Sequence, residues 1–250
     1  MADTPRRKVP ELPLFQLLPN MVTVAALCAG LTALRAAFNA DFGTAVTLII
    51  LAAVLDGLDG RLARLLRSES KIGAELDSLC DFVNFGVVPG LVLYLWALDN
   101  LPRVGWIATL IYTACCLLRL ARFNTDAKAP PSEFEHAEGG FVGVPSPAGA
   151  MLVLMPIFVA FMLQMTEPPP TGIVAAWMVL VGGLMIGRFP TPSLKGLTVA
   201  RENATYVVIG FVAVLAMLTA YPWPTLVALD AGYLALLAWG WLGRLRRPKA

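Results

Sequence analysis

Residues 56–81 read DGLDGRLARLLRSESKIGAELDSLCD, four aspartates on an apolar background in the order D-x-x-D-G-x-x-A-R-x8-G-x3-D-x3-D. Asp56 and Asp59 are three residues apart and Asp77 and Asp81 four apart, so on helices each pair shares a face. The segment from Arg64 to Gly73 allows a turn between two antiparallel helices, which brings the pairs together. Four converging carboxylates repel one another and resist burial, so the pattern demands a cation. Oxygen ligands without His or Cys select Mg²⁺, Mn²⁺ or Ca²⁺ over zinc, and a pyrophosphate would complete the coordination. The spacing fits one ion or two. A single Asp-x-x-Asp at a helix end is more often a solvated cap, but a chance match to the whole string is on the order of 10⁻⁷ per chain of this size.

The surrounding chain is built for a bilayer. Of its 250 residues 58% are hydrophobic and 14% charged, and the mean hydropathy is +0.71, whereas charged residues make up roughly a quarter of a soluble domain. Apolar segments recur at about 20–38, 42–66, 76–97, 103–122, 144–165, 171–189, 204–220 and 224–242. Each has about the length of a membrane-crossing helix, and no ten-residue alternation suggests strands. The expected fold is an all-α transmembrane bundle of about eight spans. Residues 1–19 read as a cytoplasmic segment, 20–243 as one transmembrane domain and 244–250 as a basic cytoplasmic tail. Pro5, Pro10, Pro13 and Pro19 make the N-terminal stretch a poor cleavable signal, so its removal is not expected.

Basic residues set the orientation. With the N-terminus inside, the cytoplasmic face collects Arg6, Arg7 and Lys8, then Arg61, Arg64, Arg67 and Lys71, then Arg119, Arg122 and Lys128, then Arg188, Lys195 and Arg201, and finally Arg244, Arg246, Arg247 and Lys249. Only Arg35 and Arg103 fall on the other side, so both termini read as cytoplasmic. The long connections, from Asn124 to Gly143 and from Phe189 to Asn203, share that face with the aspartates, and long loops commonly carry function. A net charge of +2, scattered over span ends, gives no sign of nucleic-acid binding. Cys28, Cys80, Cys115 and Cys116 lie in apolar runs without metal-ligand spacing and read as small buried side chains. His136, the single histidine, stands among Glu133, Glu135 and Glu138 and reads as a solvated loop residue.

The aspartate string resembles the active-site signature of the CDP-alcohol phosphotransferases. LPNMVT at Leu18 to Thr23, ELDSLCDFVNFGVVPG from Glu75, LLRLARFN at Leu117 to Asn124 and FVGVPSPAGA at Phe141 to Ala150 extend the likeness to the integral-membrane phosphatidylserine synthases, with PTPSLKG at Pro190 to Gly196 a looser match. The resemblance implies a homodimer in a bacterial-type plasma membrane that uses Mg²⁺ or Mn²⁺. It implies attack of the L-serine hydroxyl on the diacylglycerol-side phosphorus of CDP-diacylglycerol, with release of CMP. Asp56, Asp59, Asp77 and Asp81 match the family's metal-binding aspartates, and Asp81 also matches its proposed general base.

Physical readings sit beside these implications. Gly60 and Ala63 leave little bulk where a nucleotide approaches the backbone, and Gly73 does the same at the start of the third span. Arg64, again on the face of Asp56, offers a fork of donors to phosphate oxygens. Asn20 and Thr23, one turn apart, fit a role facing the nucleotide or bonding a motif aspartate, and equally fit a helix cap after Pro19. A serine carboxylate needs a cation, for which Arg119 and Arg122 with Asn124 are candidates, and Ser146 between two prolines could hydrogen-bond it. Arg119 fits a snorkelling anchor equally well. Two alternatives remain open from sequence: another acceptor alcohol, such as choline, glycerol phosphate or an inositol compound, and a cation transporter, which would place acids nearer mid-bilayer.

Overall fold

Small residues recur along the first helix at Ala26, Ala29, Gly30, Ala33 and Ala37, and all of them are buried. In lipid, helices associate through close van der Waals packing rather than hydrophobic transfer, so such a stripe lets two backbones approach. In a computed structural model, which describes residues 17–68, 70–128, 141–187, 190–191 and 203–245, this stripe on α1 (Leu18–Phe38) lies against Ala45, Val46, Ile49 and Ala52 of α2 (Phe42–Leu65). The two helices form an antiparallel hairpin. Ala40 takes a positive φ of 58° in its turn, and Asp41 caps α2 by accepting the Thr44 N–H at 3.0 Å. Hydrogen bonds from Thr44 hold the exposed Asp41 carboxyl below its ordinary range.

Among the described residues the chain forms eight helices. After α1 and α2 come α3 (Lys71–Leu98), α4 (Pro102–Lys128), α5 (Ser146–Met162), α6 (Thr171–Ile186), α7 (Ala204–Ala220) and α8 (Pro222–Leu245). Each expected apolar segment is therefore helical, but the helices differ in reach. Helices α1 to α4 are long and apolar enough to cross a membrane, whereas α5, α6 and α7 are shorter apolar helices. The third helix begins at Lys71 rather than near residue 76, and the fourth runs on to Lys128, because neither apolar run ends where its helix does. One extended pairing joins the connections, β1 (Phe141–Val142) antiparallel to β2 (Pro190–Thr191), with Phe141 opposite Thr191. The basic residues of 1–16, Arg188, Lys195, Arg201 and 246–250, and His136 with its acidic neighbours, lie outside the described residues.

Prolines inside the apolar helices are repaired by neighbours. Pro89 has no N–H to give the Phe85 carbonyl, and the buried Tyr112 hydroxyl of α4 donates to that oxygen at 2.7 Å. Pro156 cannot serve Leu152, and the Trp177 indole N–H of α6 donates to the Leu152 carbonyl at 2.8 Å. Where no water reaches, a backbone oxygen must find a partner in the protein. Around Pro89, α3 widens into π-helical turns over Phe82–Val87 and Tyr94–Leu98. Thr113 donates to the Gly86 carbonyl at 3.2 Å in the first, and Thr171 to the Ala97 carbonyl at 2.9 Å in the second.

The outer surface is apolar as well. Helix α7 exposes Tyr206, Val207, Val208, Ile209, Phe211 and Val212 around its circumference, an apolar surface that water would not tolerate at this extent. The protein is a membrane protein. Cys80 and Cys116 are buried as expected and Cys115 is half-buried, but Cys28 is exposed on α1. An apolar run in lipid has an outward face as well as an inward one, and Cys28 stands on the outward face.

The helix contacts rest on missing side chains, which gives a direct test. A Cβ on Gly30 would fall on the Asn84 side-chain oxygen, whereas one on Gly210 meets nothing within 4 Å. Gly30→Ala is expected to destabilise the detergent-solubilised protein by about 1–3 kcal/mol. Gly210→Ala should leave it unchanged or add up to about 1 kcal/mol. Thermal unfolding midpoints check both, and equal midpoints for the two variants would contradict the close approach at Gly30.

Candidate active site

The turn between α2 and α3 brings the two aspartate pairs face to face. The Ser68 N–H bonds the Ala63 carbonyl at 3.0 Å as α2 ends, Arg67 adopts a positive φ of 50°, and Ser70 caps α3 by accepting the Gly73 N–H at 3.0 Å. Both pairs then lie in the halves of α2 and α3 next to this turn. One carboxylate oxygen each from Asp56, Asp59 and Asp77 falls within 4.8 Å of the others. Asp81, one turn further along α3, is within hydrogen-bonding reach of Asp56, and its Oδ1 is buried without a partner among the described residues.

Helix α1 closes one side of this cluster. The Thr23 hydroxyl, on the same stripe as Ala26 and Gly30, donates to Asp59 Oδ2 at 2.6 Å, and Asp59 is 3% exposed. A bond of that length to a buried carboxylate holds its rotamer. Gly73 meets α1 as well: a Cβ there would come within 2.9 Å of Asn20 Oδ1 and 3.0 Å of Ser70 Oγ. Its lack of a side chain therefore makes room for Asn20 rather than open space beside the backbone. Gly60 is the open position, with nothing within 4 Å of a would-be Cβ. Ala63 is half-buried and Arg64 exposed about a turn beyond Gly60, on the side of the connecting turn.

A second polar group adjoins the acids. Arg119 of α4 donates from Nη1 to Ser146 Oγ at 2.6 Å, and Cys116 Sγ lies 3.8 Å from the same oxygen. Arg119 is close enough to Asp81 to interact with it electrostatically. Ser146 is fully buried at the first position of α5, where Pro145 holds the preceding backbone at φ −58° and ψ 146°. Gly143, at φ +80°, steers the chain into that position. A Cβ there would stand 2.5 Å from the Met185 carbonyl oxygen, so the turn requires glycine.

The remaining serine-site candidates are placed differently. Asn124 is partly buried and pairs with Ser78 of α3, its Nδ2 donating to Ser78 Oγ at 3.0 Å. It ties α4 to the helix that carries Asp77 and Asp81. Arg122 is exposed.

Four polar groups do not stand out in the sequence: Ser78, Asn84, Asp230 and Tyr233. Asn84 is 1% exposed with both amide atoms unpartnered, and Asp230 Oδ2 and the Tyr233 hydroxyl are buried without partners among the described residues. Each interrupts an apolar run, and a polar side chain within a span is by itself a functional signal. Tyr233 is the hardest to find, because a tyrosine in a membrane helix also fits an interfacial anchor.

Comparison with known proteins supplies the chemical setting. The CDP-alcohol phosphatidyltransferase family model matches residues 16–188. The chain is 41% identical over 208 residues to the CDP-diacylglycerol–serine O-phosphatidyltransferase of Mycobacterium leprae, covering 82% of this chain and 66% of that protein. It is 40% identical over 209 residues to the protein of that name from Mycobacterium bovis, covering 82% and 70%. The Helicobacter pylori protein of that name is 34% identical over 189 residues, covering 75% of this chain and 76% of its own length. The chain thus spans about two thirds of the length of the mycobacterial relatives. The matched region holds the acid cluster of α2 and α3, the threonine that braces it and the Arg119–Ser146 pair beside it, and on that match the chain belongs to the CDP-alcohol phosphatidyltransferase family.

Proposed function

We propose that this protein is a metal-dependent phosphatidylserine synthase, which transfers the phosphatidyl group of CDP-diacylglycerol to the hydroxyl of L-serine and releases CMP. The observation that carries the reading is the placement of two different polar groups side by side. Three carboxylates crowd within 4.8 Å of one another, and the Arg119–Ser146 pair lies within electrostatic reach of the fourth. The similarity to proteins named for this reaction supports the choice of donor and acceptor.

The donor set fits a divalent cation. Asp56, Asp59 and Asp77 offer only hard oxygen ligands at a separation that like charges do not sustain unaided. These three would hold Mg²⁺ or Mn²⁺, with Asp81 closing the set. A divalent ion held there would supply positive charge to offset that of the pyrophosphate and of the departing CMP.

The chain's own residues divide the remaining work. Gly60 leaves the α2 backbone open for the cytidine end of the donor, with Ala63 and Asn20 at its border, and the Arg64 fork grips phosphate oxygens. Thr23 holds Asp59 in position. Asp81, with one buried oxygen unpaired among the described residues, takes the proton of the attacking hydroxyl. Arg119 supplies the cation for the serine carboxylate, Ser146 orients it, and Arg122 and Asn124 border the approach. The serine oxygen forms a bond to the diacylglycerol-side phosphorus as the pyrophosphate P–O bond breaks, and CMP carries the electron pair away.

The site lies where both substrates can reach it. We place eight spans across the plasma membrane with both termini and the aspartates on the cytoplasmic side, as the distribution of Lys and Arg supports. Acyl chains then stay in lipid while serine and CMP exchange with cytoplasm. In this arrangement 20–243 is one catalytic domain between a short N-terminal segment and a basic tail, and it works as a homodimer.

Purified protein given CDP-diacylglycerol, Mn²⁺ and one alcohol at a time should release CMP with serine, and chelation should abolish the release. Release with glycerol phosphate, choline or inositol but not serine would refute the acceptor. Ion flux into liposomes that persists in Asp81→Asn, with no CMP released from CDP-diacylglycerol whatever the acceptor, would refute the enzyme. Asp81→Asn should itself lower kcat by about 10²–10⁴. Arg64→Ala should raise KM for CDP-diacylglycerol far more than KM for serine, and an unchanged donor KM would remove the phosphate contact. Thr23→Val keeps the shape but not the hydroxyl, so the Mn²⁺ concentration for half-maximal activity should rise about 10- to 100-fold. An unaltered Mn²⁺ titration would show that the Thr23–Asp59 bond does not tune the metal.

A further inference from the structure

We infer that the last helix completes the acceptor pocket: the Tyr233 hydroxyl on α8 and the Arg119 guanidinium on α4 together bind the carboxylate of the acceptor. The inference rests on the acceptor being an amino acid, as proposed above. It adds a residue beyond the family match, which ends at residue 188.

The geometry consists of two buried donors, each without a partner among the described residues, on side chains within electrostatic reach of each other. Arg119 uses Nη1 on Ser146, while its Nε is buried without a partner. The Tyr233 hydroxyl is also buried without a partner, and the two side chains are close enough to interact electrostatically. A guanidinium has no acceptor to offer, so Tyr233 cannot be satisfied by donating to Arg119. Buried polar atoms in native proteins nearly always have partners, and two neighbouring unpaired N–H and O–H donors define a place for an anion with two acceptor oxygens. Ser146 Oγ accepts from Arg119 and from Cys116 Sγ, which leaves its own proton as a third donor at the same spot.

The position relative to the acids is also right. Arg119 is within electrostatic reach of both Asp81 and Tyr233. A small amino acid held by its carboxylate between Arg119 and Tyr233 therefore has Asp81 nearby for its hydroxyl. Packing holds α8 firmly enough to present such a group. The helix lies along α5, with Trp223 edge-on to Phe161 at 4.7 Å between ring centroids, and Leu226 and Leu237 are buried in the core. Tyr233 lies between those two leucines in sequence and itself packs against the core.

The test compares L-serine with L-serinamide, whose neutral amide replaces the carboxylate, using the 250-residue protein, CDP-diacylglycerol and Mn²⁺, and reading CMP release. The wild type should prefer serine. In Tyr233→Phe, KM for serine should rise about tenfold or more, as expected for loss of a hydrogen bond to a charged group. KM for serinamide and for CDP-diacylglycerol should stay within about twofold, so the preference for serine shrinks. If the wild type does not prefer serine to serinamide, the acceptor is not held by its carboxylate, and both this inference and the amino-acid reading fall. If the wild type does prefer serine and Tyr233→Phe prefers it equally, only the inference falls. A loss of kcat shared by both acceptors, or a raised KM for CDP-diacylglycerol, would make Tyr233 a structural residue and likewise overturn it.

Discussion

Repulsion among the carboxylates of α2 and α3 is the constraint around which this bundle is arranged. At 4.8 Å, and with an effective dielectric of about 20, each ionised pair repels by roughly 3 kcal/mol. Without a cation, nothing local to α2 or α3 would keep them so close. What holds them is packing further along: the stripe of small residues that seats α1 on α2, the close approach of Gly30 to Asn84, and the turn capped by Ser70. Thr23 connects the two scales, since it sits on the packing stripe and donates to Asp59. A change in the helix contact at Gly30 is therefore a change in how the carboxylates are aimed.

The backbone obeys a similar rule. A proline in a membrane helix leaves a carbonyl without its donor, and at Pro89 and Pro156 that carbonyl is served by a side chain from a neighbouring helix, Tyr112 for Phe85 and Trp177 for Leu152. The repair makes the irregular turn dependent on tertiary contact. The π-helical turn that follows Asp81 is thus locked by α4, the helix that also carries Arg119. The acids of α3 and the arginine of α4 are set in register by one pair of helices, because the contact that stabilises the irregular backbone also fixes their separation.

Much of this was legible in the sequence, and the reason is periodicity. Asp56 and Asp59, and Asp77 and Asp81, share faces because any helix places residues three or four apart together, and apolar runs mark helices whatever their packing. What stayed hidden depends on neighbours distant along the chain. Gly73 read as open space beside the backbone, yet its space belongs to Asn20 of another helix. Asn124 read as a candidate for the serine carboxylate beside Arg119 and Arg122, and its bond to Ser78 across to α3 has no mark in the sequence. The π-helical turns have no composition of their own, and the first follows from Pro89 together with Tyr112 and Thr113. Helix limits at Lys71 and Lys128 extend past the apolar runs because charged residues continue a helix readily once it has left the hydrocarbon.

Position in the chain is a poor guide to which parts serve the acceptor. The donor motif is compact because Asp56 to Arg64 and Gly73 to Asp81 occupy one helical hairpin, and a contiguous hairpin writes itself into a contiguous string. The proposed acceptor pocket has no such string: Arg119, Ser146 and Tyr233 come from α4, α5 and α8. A CDP-linked donor presents the same pyrophosphate whatever the alcohol, so its site can be a fixed cassette. The alcohols differ in charge and size, and selecting one needs groups that can change independently of that cassette. Placing them on separate helices, one of them beyond the family match, allows the acceptor to change without disturbing the carboxylates.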